Sequence, residues 1–110
     1  MHHKDYKHVE LGTVRVIFND KEPLFTQQSV TAALGYVLCQ QAVDERVSKE
    51  NKFILYNETE HGRTPLLVLN ESGVRELMSP TLPKVKVFKD WFDGTVLPAA
   101  REMAREPHWS

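Results

Sequence analysis

The sequence predicts an α+β fold, a single compact domain with two β-hairpins and about four helices in the order ββααββαα. Three observations predict it. Two runs rich in β-branched, apolar and aromatic residues, Val14-Arg15-Val16-Ile17-Phe18 and Phe53-Ile54-Leu55-Tyr56, are each followed by a polar turn cluster and a second extended piece. After each hairpin the apolar residues recur at the three-and-four spacing of a helix with one buried face. Finally, 110 residues supply one core and no second, since a chain of this size buries about two-thirds of its unfolded surface.

In chain order, Asn19-Asp20-Lys21-Glu22 turns the first strand back into Pro23-Leu24-Phe25. Thr26 then stands as the N-cap of a helix with Val30, Ala33 and Leu34 on one face, and Gly35 provides its stop. Cys39, Ala42, Val43 and Val47 carry a second short helix that lacks a good N-cap, with Cys39 as a small buried hydrophobe. The second hairpin pairs residues 53–56 with 65–69 across a longer polar loop, 57–64, that contains Gly62. Asn70 caps a third helix, with Glu71 in its positive first turn and Val74, Leu77 and Met78 as its buried stripe, ended by Ser79-Pro80. Pro83 suits the first turn of a long final helix whose Val85, Phe88, Trp91 or Phe92, Val96 and Ala99 share a face. Pro98 removes a donor and crowds the preceding turn, which predicts a kink or break near Val96-Leu97. The expected layout is a flexible N-terminus at 1–11, the domain at 12–105 and a tail at 106–110.

Composition narrows the function classes. An apolar fraction of 41% and a charged fraction of 26% are those of a folding chain, not a disordered one. Apolar stretches reach about five residues, whereas a membrane span needs about 20. The N-terminus lacks the apolar segment of a secretory signal, and Cys39, the one cysteine, cannot form an intrachain disulfide, so the cytoplasm is the expected compartment. His2, His3, His8, His61 and His108 show no ligand spacing, so neither a metal nor a cofactor is expected. Ser72 falls in a helix's first turn without a base nearby, and no Gly-rich phosphate loop occurs, so nothing points to an enzyme.

The first hairpin, Val30-Thr31-Ala32-Ala33-Leu34-Gly35-Tyr36, Val43-Asp44-Glu45-Arg46 running to Lys52, Asn70-Glu71-Ser72-Gly73-Val74, the stretch from Leu82-Pro83 to Phe88-Lys89, and Trp91 followed by Val96-Leu97-Pro98 stand in one order along the chain. Together, over about residues 12–103, they resemble the N-terminal domain of the BRO family, which includes baculoviral proteins and prophage antirepressors. It implies a non-enzymatic regulatory domain that binds double-stranded DNA, often alongside a module acting on a repressor or host factor. The alternative is a protein-interaction module that sequesters such a factor without touching DNA. A near-neutral balance, 14 basic against 15 acidic side chains, suits that alternative because the whole molecule exerts little pull on a polyanion. A homodimer is the further partner that palindromic DNA sites would require.

Two elements compete as base readers. Residues 28–47 resemble a helix-turn-helix, in which Gln40 and Gln41 would bond adenine edges while Arg46, Lys49 and Lys52 hold phosphates, although Asp44 and Glu45 would repel them. The second hairpin offers His61, Arg63 and Thr64, since a two-stranded ribbon also fits the major groove and Arg is the commonest reader of guanine. Lys84, Lys86 and Lys89 would grip the backbone, and Trp91 and Phe92 are read as core rather than stacking platforms.

Overall fold

The structure is a computed structural model describing residues 2–19 and 22–105, apart from the side chains of His2 and Asn19. Five strands, β1 (His2–His8), β2 (Gly12–Asn19), β3 (Glu22–Thr26), β4 (Lys52–Thr59) and β5 (Gly62–Leu69), pair antiparallel in the order β1-β2-β3-β5-β4. The first hairpin, β2 with β3, is the predicted one. Residues 2–8, expected as a flexible terminus, instead form an edge strand. No apolar alternation announces it, because an edge strand takes its ladder from β2 and needs few buried side chains. Asp5 sits opposite Arg15 and receives a bidentate pair of bonds from it, at 2.7 and 3.1 Å, while Tyr6 packs on the core and its hydroxyl donates to Met103 Sδ at 3.6 Å. The tail expected at 106–110 lies outside the described residues.

One face of the sheet carries the core. The register aligns Val16, Phe25 and Leu69 across β2, β3 and β5, and all three are buried. The helices α1 (Gln27–Leu34), α2 (Cys39–Arg46) and α3 (Glu71–Glu76) cover this face together with a long final run. Cys39 is half-buried rather than enclosed. Thr26 occupies the N-cap of α1 but makes no capping bond; its hydroxyl lies 2.5 Å from that of Ser29. Gly35 ends α1 as predicted, at φ +93°, with the Tyr36 N–H closing back on the Thr31 carbonyl at 3.0 Å. A Cβ at Gly35 would meet open space apart from Lys84 Cδ at 3.9 Å, so Gly35→Ala carries mainly the left-handed backbone penalty. It should lower stability by about 1 to 2 kcal/mol, seen as a lower denaturant midpoint at unchanged slope.

The final helical run consists of α4 (Val85–Trp91), a π-helical turn (Phe92–Val96) and α5 (Leu97–Ala104). The break expected near Val96-Leu97 is this π turn, in which the Leu97 N–H reaches back to the Phe92 carbonyl. Pro98, second in α5, has no N–H to give and would crowd the turn before it; the wider π turn makes that room. Pro83 lies before the first helical residue rather than inside the first turn. The extra residue in the π turn also rotates the buried stripe by one position, so that Ala100, not Ala99, joins Val96 in the core. Phe92 stands at the centre of an aromatic cluster, 5.1 Å from Phe25 and 5.6 Å from Phe88 between ring centroids. Among the described residues no helix is long and apolar enough to cross a membrane.

Candidate nucleic-acid interface

The β4–β5 hairpin projects as an arm. Only two residue pairs, Phe25↔Leu69 and Thr26↔Val68, join it to β3, whereas β4 and β5 pair with each other from Lys52↔Leu69 out to Thr59↔Gly62. The loop expected over 57–64 is therefore mostly strand, closed by Glu60 and His61 with Gly62 at φ +114°. Polar residues on both faces concealed this, since a strand standing clear of the core has no face to bury. Period two puts Ile54, Tyr56 and Glu58 of β4 on one arm face with Arg63, Pro65 and Leu67 of β5.

On that face the Arg63 guanidinium lies 4.5 Å from the Tyr56 ring centroid and 3.9 Å from the Glu58 carboxylate, and the side chain remains 64% exposed. The ring and carboxylate hold an otherwise mobile side chain near one geometry while leaving its outer edge to solvent. His61 and Thr64 are also exposed at this end. The paired strand β4 leaves Phe53, Ile54 and Tyr56 at 39%, 55% and 49% exposure, a feature the sequence reading missed. The apolar run 53–56 announces a strand of a hairpin, and its place on an arm joined to β3 by two residue pairs is what exposes it.

The helix pair forms around a four-residue turn, 35–38, with Ala42 and Val43 facing the core. Gln40 and Gln41 project from α2, but each is engaged one turn on: Gln40 Nε2 donates to Asp44 at 3.0 Å and Gln41 Nε2 to Glu45 at 2.9 Å. Arg46 lies 5.9 Å from the Tyr36 ring centroid, and Lys52 approaches Asp44 at 3.8 Å, so the root of the arm sits beside α2. Lys49 lies exposed on the 3₁₀ turn Lys49–Asn51 between them. Lys84 approaches the helix-pair turn at Gly35, while Lys86 and Lys89 lie exposed on α4. Among the described residues Lys49, Lys84, Lys86 and Lys89 make no ion pair with an acidic group. The structure thus gathers Arg46, Lys49, Lys52 and Lys84 around α2 and leaves Thr64, Arg63 and His61 roughly 17 to 23 Å away along the arm.

A polar knot fixes the arm's root. Asn70 caps α3 by accepting from the Gly73 N–H at 2.8 Å, its own N–H donates to the Asn51 carbonyl at 3.2 Å, and its Nδ2 donates to Asn51 Oδ1 at 3.1 Å. Glu76 then accepts from Asn51 Nδ2 at 2.6 Å, from the Ser48 hydroxyl at 2.7 Å and from the Ser48 N–H at 3.2 Å. The Asn51 amide first, and then Ser48, hold the Glu76 carboxyl below its ordinary range. A depressed folded pKa means that the carboxylate's contribution is complete above the unfolded value, about 4.3, and is lost as pH falls through the lower folded one. Glu76→Gln should therefore flatten part of the acid limb of the stability profile, measured by urea unfolding below about pH 5. An unchanged limb would assign it to other carboxylates, such as Asp5, whose bond from Arg15 lowers it too.

Between the arm and the helix pair runs a groove of about 680 Å³, reached by Pro65, Leu66 and Leu67 from β5 and by Cys39 and Gln40 from α2. A family model described as the BRO family, N-terminal domain, matches residues 13–98. No curated protein and no solved structure gave a significant match.

Proposed function

The chain belongs to the BRO family through its N-terminal domain, and from that premise we propose that it is a DNA-binding regulatory domain of the prophage-antirepressor type, acting without catalysis in the cytoplasm. The family match over 13–98 carries the reading. The geometry supports a division of labour. Arg63 at the arm tip reads a base edge, and the lysines that have no acidic partner among the described residues hold phosphates. Gln40 and Gln41 are the second candidates for base contact; Asp44 and Glu45, which hold them, must release them and also face the same polyanion. A sequestering module that binds a repressor or host factor instead is the second reading, favoured by the near-neutral charge balance.

A salt titration with duplex DNA separates the two. DNA binding weakens steeply with salt, with a log–log slope set by the phosphates neutralised, whereas no detectable binding at low salt transfers the assignment to the sequestering module. Within the DNA reading, Arg63→Ala should remove about 1 to 3 kcal/mol of discrimination at one base position without unfolding the domain, as its exposure leads us to expect. Lys86→Ala and Lys89→Ala should lower affinity for all sequences alike and each reduce the salt slope by about one. If Arg63→Ala weakens every site equally, the tip is an anchor and base reading belongs to α2.

A further inference from the structure

The sheet contains a gap. β3 ends at Thr26, where the chain turns into α1, yet both of its neighbours run on past that point. The last β2–β3 pair is Val16↔Phe25, although β2 begins at Gly12, and the last β3–β5 pair is Thr26↔Val68, although β5 begins at Gly62. Continued by register, β3 would set Gln27 between Val14 and Leu67. The groove described above lies along this vacated lane, with Thr13 and Arg15 on one side and Pro65, Leu66 and Leu67 on the other.

The alternation of the strands shows what the lane offers. The Arg15 N–H points into it and donates to Ser29 Oγ at 3.0 Å, so the Thr13 N–H and C=O point the same way. Carried across Ile17↔Leu24 and Phe25↔Leu69, the same alternation turns the Leu67 N–H and the Pro65 C=O toward the lane from the far side. Pro65, having no N–H, fits there because it owes none to the β4 ladder.

A second observation is independent of the sheet. Gln27 lines the groove, is only 6% exposed, and its side-chain amide has no hydrogen-bond partner among the described residues. Buried polar side chains in folded proteins are overwhelmingly paired, so this amide presents a donor and an acceptor to the groove. Charge adds a third. The first turn of α1 has neither a side-chain cap bond nor an acidic residue, and no Asp or Glu lines the groove; the charge of Arg15, which also lines it, is met by Asp5, so it is the uncapped turn that favours a negative group.

We propose that this gap binds an extended peptide segment of a partner protein, which enters as a short strand in the lane β3 leaves and brings an acidic side chain to the uncapped turn of α1. Its main chain pairs with Thr13 and Leu67, and the Gln27 amide bonds one of its peptide groups. A nucleic-acid strand also carries anions but has no alternating N–H and C=O groups for the two edges, which decides for a peptide. The site does not involve the arm tip and stands whether or not the domain binds DNA.

The test is a selection from a displayed random heptapeptide library on the intact chain, followed by NMR titration with synthetic copies of the enriched peptides. Supporting results are an enriched acidic position, shifts of the Thr13 and Leu67 amides and of the Gln27 side-chain NH₂, and slowed hydrogen exchange at Thr13 and Leu67. Gln27→Leu should fold at least as well as the parent and weaken the peptide about tenfold or more. Gln27→Glu keeps the shape and repels a carboxylate; binding should be lost and return when the peptide's acid is changed to its amide. The proposal is overturned if no peptide is enriched, if the peptides bind both variants as they bind the parent, or if their shifts lie elsewhere. It is equally overturned if duplex DNA displaces the peptides while shifting the same groups, which would make the gap a nucleic-acid site.

Discussion

Phe92→Ala is expected to destabilise the domain by about 3 to 5 kcal/mol, measured by urea unfolding followed by circular dichroism. The ring is fully buried, meets Phe25 edge to face and stacks on Phe88, with interplanar angles of 60° and 13°. Truncation removes the transfer energy of the ring, leaves a cavity between sheet and helix, and loses two aromatic contacts worth about 0.5 to 1.5 kcal/mol each. Phe92 also opens the π turn, and its carbonyl receives the Leu97 N–H, so the surroundings are poorly placed to collapse into the space. Against a total of about 5 to 15 kcal/mol for a domain, such a loss removes from about a fifth to all of the stability. Phe92→Leu should lose much less. An Ala variant less than about 1.5 kcal/mol below the parent would show that the helix and sheet close over the vacancy.

Gly73→Ala is the second large effect, and its sign runs against helix propensity. Alanine is favoured over glycine inside a helix by about 1 kcal/mol. Here, however, a Cβ would stand 2.6 Å from the Asn51 carbonyl oxygen and 3.2 Å from Leu69 Cβ. The nearer obstacle is backbone, and that carbonyl is already held by the Asn70 N–H. Accommodating the methyl means prising α3 from the arm's root and stretching the knot of Asn51, Asn70 and Glu76. The net expectation is a loss in the upper part of about 1 to 3 kcal/mol. Ser72→Ala, one residue away and exposed, should stay within about 0.5 kcal/mol of the parent, so the pair isolates close approach from helix chemistry. A Gly73→Ala protein as stable as the parent would mean that α3 and Asn51 are free to part.

The elements legible in the sequence are those whose signals are local. Asn70 as a cap, Gly35 as a stop and the hairpin 14–25 each depend on a few neighbouring residues and were readable as such. The edge strand His2–His8 was not, because its place comes from pairing with β2, from the Asp5–Arg15 ion pair and from contacts of Tyr6 and His8 with Met103 and Trp91 far along the chain. The arm's outer half was hidden for the opposite reason, having polar residues on both faces where alternation is usually sought. After the π turn the helical period no longer holds in phase, and a stripe extrapolated through Val96 lands on Ala99 instead of Ala100. For the candidate site, the exposure of Arg63 followed from its polar surroundings, while its Tyr56 and Glu58 partners required the strand register. The engagement of Gln40 and Gln41 by Asp44 and Glu45 one helical turn on is visible in the spacing, and these carboxylates act as acceptors for the amides as well as charges that repel phosphate. The gap beside β3 had no local signature, since it arises from the unequal reach of three strands.

The arm's attachment through two residue pairs also bears on how such a domain can change over generations. Side chains from 57 to 64 draw almost nothing from the core, so substitutions there are nearly neutral for folding and are screened by whatever the tip contacts. The root, pinned by Asn51, Asn70, Gly73 and Glu76, admits little variation. Divergence should therefore collect at the tip while the knot at the base stays fixed, giving a lineage of such proteins an inexpensive route to new partners on an unaltered body.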